Sequence, residues 1–279
     1  MNCKNIGFIG SGKMAGAIIR GLLSNGFSKP ENLTATQAEK EGIEEKSKSL
    51  GGVNVILDNT ELVKISDVIF IAVKPNQVID VLEEIKPFVT PEKLIISIAA
   101  GININKLESG LPKGTKVIRV MPNTPALVGE GMSGIFGGIG VKEDDMNFVK
   151  NLLSTIGKCI IVDNESQMDI VTAISGSGPA FFYKVMNDIA RAGEKLGLDY
   201  EKALMLSIQT AIGSAKMAMN REVSMETLIS NVATKGGCTR VGVDVMEGVN
   251  HGVNHGVNTE QIFYDVIKST TEKAHELGK

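Results

Sequence analysis

Short β-branched runs alternate with longer amphipathic stretches through the first 162 residues of the chain. The apolar runs lie at Asn5–Ile9, Asn32–Thr36, Val68–Val73, Leu94–Ile98, Lys116–Val120 and Cys159–Val162. Three stretches between them have helical spacing, at Lys13–Ser24, Glu39–Leu50 and Gln77–Phe88. Buried strands that alternate with helices predict an α/β domain with a mostly parallel, doubly wound sheet.

After Asp163 the apolar residues follow a helical spacing instead. The stretches are Met168–Leu196, Asp199–Met219, Ser224–Val232 and Thr259–Leu277. Asp199 and Ser224 suit N-caps, and Gly197 suits the end of a helix. We therefore predict two domains, residues 1–162 of α/β type and residues 163–279 all-α, with the boundary near residue 163.

The composition of the chain argues against nucleic acid and membranes as its partners. With 279 residues, 43% apolar and 22% charged, the chain is long enough for two cores. A net charge of -3 and a pI near 5.8 provide no positive field for nucleic acid. No apolar run approaches the ~18 residues of a membrane span, and there is no room for a signal peptide before the first run. Cys3, Cys159 and Cys238 form no CxxC pair. We expect a cytoplasmic protein that contacts neither nucleic acid nor membrane.

The segment Gly10–Ala15 follows the first predicted strand and opens the first predicted helix, the setting of a dinucleotide-binding, Rossmann-type turn. Gly10 permits the tight turn, and Gly12 lets the backbone approach a pyrophosphate. The helix N-terminus then presents free N–H groups to that anion. The alternative is a glycine turn that binds nothing.

The second strand ends at Thr36 and Gln37, where an NAD-specific site normally has Asp or Glu. Nothing at these two positions repels a 2′-phosphate, and their hydroxyl and amide groups are able to donate to it. We therefore predict NADPH as the cofactor, with NADH as the alternative. Lys40 would add a charge there, or is simply a solvated helix residue.

Two further segments, Ala72–Pro75 and Ser97–Gly101, end strands at the edge where doubly wound sheets bind ligands, and Met121–Pro125 would form a rigid loop there. The chain has no histidine before His251 to protonate an alkoxide. Lys74 is a candidate acid, but an imine accepts its proton from solvent before reduction. The missing histidine favours imine reduction over hydroxyacid oxidation.

A second glycine-containing segment, Asn231–Thr239, separates two predicted helices. Gly236 and Gly237 expose backbone N–H groups that can hold a carboxylate, and Thr239 adds a hydroxyl. The segment is suited to an amino-acid-like substrate, or is a plain break between helices.

Five motifs occur in the order that resembles the pyrroline-5-carboxylate reductase family. They are Gly7–Ala15, Ala72–Pro75, Met121–Pro125, Ser175–Ala180 and Gly236–Thr239. The resemblance implies an NADP-binding Rossmann-type domain and an all-α dimerisation domain. It implies reduction of the C=N bond of 1-pyrroline-5-carboxylate to L-proline. It also implies a homo-oligomer, a dimer or a decamer of dimers, with the active site between the domains and completed by the partner subunit.

The same resemblance implies site residues by position. Cofactor contacts are Gly10, Ser11, Gly12, Lys13, Met14, Thr36, Gln37, Asn59, Ala72, Val73, Lys74, Pro75, Ile98, Ala99, Ala100 and Asn231. Substrate contacts are Glu165, Gly236, Gly237, Cys238 and Thr239. Thr239, which would hydrogen-bond the ring nitrogen, and Lys74 are the catalytic candidates. Ser175–Pro179 is predicted to shape a closely packed helix start, with Pro179 in its first turn.

Two features depart from the family pattern. Lys235 stands where the family usually has proline, and the repeat Gly248–Asn258 lengthens the connection before the last helix. His251 and His255 of the repeat are four residues apart, but its glycines disfavour a helix and no third ligand type is present. We predict a connector without metal.

Two alternatives remain open. One is a 3-hydroxyacid dehydrogenase on the same plan, with Lys74 as the acid. The other is a noncatalytic dinucleotide-binding or sensor protein, against which the Thr239 hydroxyl beside the two glycines argues.

Overall fold

A computed structural model describes residues 4–220, 222–249 and 258–278. By packing, the described residues up to Pro179, together with those from Thr270 onward, form one unit, and Ala180–Ser269 form a second. The first unit therefore includes the residues just after 163. The predicted domain boundary at that position stays a prediction.

The first unit contains eight strands and seven helices in its described part up to residue 171. The strands are β1 (Ile6–Ile9), β2 (Leu33–Thr36), β3 (Asn54–Ile56), β4 (Val68–Ile71), β5 (Leu94–Ser97), β6 (Lys116–Met121), β7 (Gly131–Gly137) and β8 (Gly157–Ile161). The helices are α1 (Lys13–Ser24), α2 (Ile43–Ser49), α3 (Asn59–Ile65), α4 (Val78–Ile85), α5 (Ile104–Ser109), α6 (Glu143–Leu153) and α7 (Gln167–Val171).

The strands form one sheet in the order β3-β2-β1-β4-β5-β6-β7-β8. Neighbouring strands are parallel except β6 and β7, which pair antiparallel. The predicted doubly wound sheet is confirmed. Two strands were not predicted, because β3 has only three residues and β7 is broken by glycines that weaken its β-pattern.

Alternating side chains of the central strands fill two cores, one on each face of the sheet. Val68 and Phe70 of β4 pack with α1 and α6, whereas Ile69 and Ile71 pack with α3, α4 and α5. Phe8 and Phe70 stack with ring centroids 4.6 Å apart in the first core. Because helices cover both faces of the sheet, we expect a ligand to bind at the edge formed by the carboxyl ends of the parallel strands.

The remaining helices are α8 (Gly178–Lys195), α9 (Tyr200–Met219), α10 (Met225–Val232), α11 (Cys238–Met246) and α12 (Thr259–Gly278). The predicted stretch Met168–Leu196 is divided, because a π-helical turn (Thr172–Gly176) separates α7 from α8. Pro179 is the second residue of α8, as predicted for a helix start. Within the described ranges, no helix is both long and apolar enough to cross a membrane.

The predicted helix ends of this part are confirmed. The Asp199 carboxylate accepts from the Lys202 N–H at 3.1 Å, and the Ser224 hydroxyl accepts from the Thr227 N–H at 3.2 Å. Gly197 has φ +99° just after α8, a conformation that glycine adopts without strain.

Candidate functional site

The turn between β1 and α1 is fixed from two sides. Gly10 has φ +97°, and a Cβ there would lie 2.8 Å from the Ala72 carbonyl oxygen at the end of β4. Its N–H donates to Thr36 Oγ1 at 3.1 Å. Gly12 caps α1 without any side-chain hydrogen bond, and nothing lies within 4 Å of a Cβ built there. The N-terminus of α1 therefore faces open space with free N–H groups, which suits a pyrophosphate.

Thr36 belongs to a chain of hydrogen bonds that supports this turn. Its hydroxyl accepts from Gly10 and donates to Asn59 Oδ1 at 2.8 Å. Asn59 Nδ2 in turn donates to Glu84 Oε2 at 2.8 Å. Asp58 caps the same helix, α3, and the Thr60 hydroxyl and the N–H groups of Glu61 and Thr60 lower its pKa. The predicted cofactor residue Asn59 thus orients Thr36, and Thr36 orients the glycine turn.

A cleft of about 830 Å³ opens at this edge of the sheet. The predicted cofactor residues that line it are Gly10, Ser11, Gly12, Thr36, Gln37, Asn59, Ala72, Val73 and Lys74. Its size and its glycine-lined floor fit a dinucleotide. The predicted contacts that do not line it are Lys13, Met14, Pro75, Ile98, Ala99, Ala100 and Asn231.

On the wall of the cleft that follows β2, the structure differs from the prediction that Thr36 and Gln37 donate to a 2′-phosphate. Gln37 Nε2 donates to the carbonyl oxygens of Glu39 and Glu41 at 2.6 and 2.9 Å, and the Thr36 hydroxyl hydrogen goes to Asn59. Neither side chain has a hydrogen left for a ligand in this structure. The Gln37 amide instead holds the loop that contains Glu39 and Glu41, and the Thr36 hydroxyl holds the turn at Gly10.

The charged side chains on this wall of the cleft were not predicted from the sequence. Lys46 of α2 lines the cleft, and its Nζ donates to the Ser11 carbonyl oxygen at 3.4 Å. Glu39, Glu41 and Glu45 also line the cleft. The sequence did contain a pattern that could have predicted them. One face of this helical stretch carries Gly42, Glu45, Lys46 and Ser49, which follow helical spacing.

The segment after β5 lies at the same edge and is held at several points. The Ser97 hydroxyl accepts from the Ala99 N–H at 3.3 Å. Gly101 has φ +74° and packs against Leu277, whose carbonyl oxygen would lie 3.2 Å from an added Cβ. Asn103 caps α5 and donates to the Gly278 carbonyl oxygen at 3.3 Å. The segment that carries the predicted cofactor contacts Ile98–Ala100 is therefore held at its far end, where Gly101 and Asn103 contact the end of α12.

Glu165 and Asn123 occupy buried or half-buried positions in the first unit. Glu165 Oε1 accepts from the Ile104 N–H at 2.6 Å and from Arg119 at 3.0 Å. Asn123 accepts from the Met132 N–H at 2.8 Å and donates to the Ser175 carbonyl oxygen at 3.0 Å. The amide of the Met121–Pro125 loop thus joins strand ends to the π-helical turn and is not directed at a ligand.

Lys74 is exposed at the end of β4, where its N–H donates to Gln77 Oε1 at 3.3 Å. Its ammonium forms no ion pair with the residues that the structure describes. It lines the cleft, so the structure leaves it available to a bound ligand.

The second glycine segment lies in the second unit. Gly236 has φ +81°, and a Cβ on Gly237 would lie 2.9 Å from Thr234 Oγ1. The Gly237 N–H donates to the Thr234 carbonyl oxygen at 3.0 Å, so it is not the free donor that the sequence predicted. Gly237 caps α11 without a side-chain bond, and the free N–H groups are those of Cys238 and Thr239, which begin the helix. The Thr239 hydroxyl makes no hydrogen bond within the described ranges. The structure therefore leaves both donor types available to a ligand, while Asn231 and Lys235 are exposed in the same unit.

Most of the repeat, residues 250–257, lies outside the described ranges, and so does the predicted connector's histidine pair, His251 and His255. Among the residues that are described, no three His, Cys, Asp or Glu side chains are grouped as a metal site.

Two family models match the chain. Residues 5–101 match the NADP oxidoreductase, coenzyme F420-dependent family, and residues 165–277 match the pyrroline-5-carboxylate reductase dimerisation family. Among curated proteins, pyrroline-5-carboxylate reductase from Pseudomonas aeruginosa is 37% identical over 281 residues, and that from Methanosarcina acetivorans is 37% identical over 279 residues. Each match covers 100% of both chains.

Solved structures agree with these matches. Pyrroline-5-carboxylate reductase from Coxiella burnetii superposes with a TM-score of 0.91 at 34% identity. The pyrroline carboxylate reductase of Plasmodium falciparum with NADP bound gives 0.84 at 33% identity. Both matches cover 100% of each chain. The resemblance predicted from five motifs is confirmed over the full length: the chain belongs to the pyrroline-5-carboxylate reductase family.

Proposed function

We propose that the chain is a pyrroline-5-carboxylate reductase, which uses NADPH to reduce the C=N bond of 1-pyrroline-5-carboxylate to L-proline. One observation carries the proposal: a dinucleotide-sized cleft lies over the glycine turn of a chain with full-length family similarity. The bound cofactor supplies the hydride. The chain's own residues bind, orient and protonate.

The glycine turn holds the pyrophosphate in this proposal. Free N–H groups at the start of α1, and the positive end of the helix dipole, stabilise that anion. Thr36 keeps Gly10 in place through the hydrogen bond at 3.1 Å. Val73 and Lys74 at the end of β4, together with Ile98–Ala100, flank the nicotinamide end.

NADPH is the preferred cofactor and NADH is accepted. Lys46 is the cation of the cleft wall that would pair with a 2′-phosphate, since Gln37 and Thr36 have already donated their hydrogens. The three glutamates on the same wall oppose that anion, which limits the preference.

The substrate is held by groups with different charge preferences. The free N–H groups of Cys238 and Thr239 suit its carboxylate, and the Thr239 hydroxyl suits its ring nitrogen. The Glu165 carboxylate favours the protonated imine, which accepts hydride more readily than the neutral form. Hydride addition to the protonated imine gives a neutral secondary amine, and Lys74, exposed at the cleft, is the proposed donor of the proton that converts this amine to its ammonium form.

The chain assembles as a homo-oligomer, since its second half matches a dimerisation family and carries exposed apolar side chains. We propose a dimer, or a decamer of dimers, with residues 1–162 as the cofactor domain and residues 163–279 as the dimerisation and substrate domain. We also propose that it works in the cytoplasm.

A steady-state assay with pyrroline-5-carboxylate and each nicotinamide cofactor tests the function. We expect NADPH oxidation that depends on the imine, with a lower kcat/KM for NADH. Oxidation of a 3-hydroxyacid with NADP⁺, in place of imine reduction, would identify the enzyme as a hydroxyacid dehydrogenase. NADPH binding without turnover of any cyclic imine would identify a sensor.

A further inference from the structure

A buried arginine lies near the end of β6. Arg119 is only 4% exposed, and it pairs across the sheet with Ser97 of β5 and Phe136 of β7. Arg119 is two residues after Val117, and side chains two apart in a strand point to the same face. Arg119 therefore faces the side of the sheet covered by α3, α4 and α5. A guanidinium at such a position is strongly destabilising unless carboxylates and hydrogen bonds compensate for lost hydration.

Two carboxylates provide that compensation. Arg119 Nη1 lies 3.0 Å from Glu165 Oε1, and Nη2 lies 3.7 Å from Asp169 Oδ1. The two acids are four residues apart, just before and within α7. The planar fork of arginine reaches both at once, which the point charge of a lysine does not do.

The Glu165 carboxylate is used asymmetrically. Oε1 accepts from Arg119 and, at 2.6 Å, from the N–H of Ile104. Oε2 accepts no hydrogen bond from any residue in the described ranges. The side chain as a whole is 24% exposed, and Oε1 is the oxygen that is anchored.

We propose that Arg119 is a positioning residue for imine reduction: it anchors Glu165 through Oε1, so that Oε2 faces the substrate and the loop before Ile104 stays fixed. The proposal rests on the proposed function, because the contact of Glu165 with substrate is part of it. Arg119 itself touches neither substrate nor cofactor.

The hydrogen bond from the Ile104 N–H connects Glu165 to the loop that carries the proposed nicotinamide contacts. Ile104 begins α5, directly after the segment that carries Ile98–Ala100. Glu165 therefore holds the end of the proposed nicotinamide loop and, through Oε2, the proposed imine contact. One anchored carboxylate thus sets the distance between two reacting partners, for which small displacements are costly in rate.

The charge of the cluster favours a cationic substrate. One guanidinium faces two carboxylates, and the only other titratable group with a contact to them in the described ranges is His275, whose Nδ1 lies 3.2 Å from Asp169 Oδ2. Arginine thus fixes Glu165 without cancelling the negative charge that attracts a protonated imine.

Arg119→Lys, Glu165→Gln and the double variant of the full-length protein test the proposal. Lys116→Met is the control, since it breaks the Lys116–Asp145 ion pair (3.3 Å) in the same strand. We expect Arg119→Lys to keep the NADPH Kd and to lower kcat/KM for the imine by about 10- to 100-fold. The double variant should have a kcat/KM no lower than that of the less active single variant, because both changes break the same contact between Arg119 and Glu165. Lys116→Met should keep the wild-type kcat/KM.

A folded Arg119→Lys protein with wild-type kcat/KM would overturn the proposal, and so would losses that multiply in the double variant. If Arg119→Lys does not fold, Asp169→Asn replaces it, because it loosens Arg119 from the other side. A fall in kcat/KM with unchanged NADPH Kd then supports the proposal, and an unchanged kcat/KM refutes it.

Amide hydrogen exchange separates this proposal from the proposed function. If the wild type reduces no cyclic imine, the proposed function fails, but the anchoring of Glu165 is still decided at the Ile104 N–H. Exchange about tenfold faster in Arg119→Lys, or in Asp169→Asn, than in Lys116→Met supports the anchoring. Equal exchange rates refute it.

Discussion

At the end of β2 the residue types alone gave an incomplete account of cofactor recognition. Thr36 and Gln37 have suitable donors, but their hydrogens are already given to Asn59 and to the backbone of Glu39 and Glu41. Lys46, from the next helix, is the side chain that brings a positive charge to the cleft wall. We therefore propose that the group that selects the cofactor belongs to α2, the helix that follows this strand.

Lys46→Met tests this assignment. A hydrogen bond to a charged group contributes roughly 1.5 to 3 kcal/mol, so kcat/KM for NADPH should fall about tenfold or more, with little change for NADH. Steady-state kinetics with both cofactors measure the ratio. Lys48→Met is the matched control, because Lys48 lies on the same helix and does not line the cleft. An equal loss for both cofactors would place the 2′-phosphate elsewhere.

Thr239→Val tests the second residue-scale assignment. Valine keeps the shape at the start of α11 and removes the hydroxyl, which makes no hydrogen bond in the described part of the chain. With roughly 1.5 to 3 kcal/mol for a bond that involves a charged group, kcat/KM for the imine should fall about 10- to 150-fold. NADPH affinity should hardly change. Thr210→Val, at an exposed position of α9, is the control. Wild-type kinetics in the Thr239 variant would remove the hydroxyl from the reaction.

At the scale of elements, the β1 to α1 turn combines two glycines with different requirements. Gly10 is needed by the fold, because its φ is +97° and Ala72 leaves no space for a Cβ. The fold does not require Gly12, since its φ is -70° and the space beside it is open. We propose that the ligand requires it, so that one sequence motif contains both a folding constraint and a binding constraint.

The two alanine variants should separate these constraints. Gly10→Ala should destabilise the fold, with roughly 1 to 2 kcal/mol from the left-handed backbone alone and more from the contact with Ala72. Gly12→Ala should keep the wild-type Tm and weaken NADPH binding, because its methyl group occupies the space of the pyrophosphate. Thermal unfolding and NADPH titration measure the two effects. A Gly12→Ala protein that binds NADPH normally would show that the anion does not sit at the start of α1.

At the scale of the whole molecule, the second unit buries few of its apolar side chains. Phe182 is 68% exposed, Met205 71% and Leu206 61%. Exposed apolar surface of this extent marks an interaction site in a stable protein. The dimerisation family that matches residues 165–277 gives the kind of partner, a second copy of the chain.

Phe182→Glu should therefore shift the assembly toward a smaller species, because it places a charge on the apolar surface of α8. Sedimentation velocity at several protein concentrations measures the change. Lys195→Glu, an exposed change at the end of the same helix, should leave the assembly intact. An unchanged sedimentation coefficient for Phe182→Glu would place the interface on another face.

The sequence by itself determined the alternation of strands and helices, the glycine turn, the helix caps at Asp199 and Ser224, and the family. Each of these depends on local backbone preferences or on side-chain periodicity, which are properties of neighbouring residues. Only the tertiary structure decided the rest. The strand β7 pairs because β6 and β8 flank it, not because its glycines favour a strand. Arg119 reaches Glu165, 46 residues away, and Lys46 reaches Ser11, because sheet order and helix packing bring distant segments together. Such contacts depend on the order in which distant strands pair and on how helices pack against them, and the spacing of neighbouring residues does not determine either.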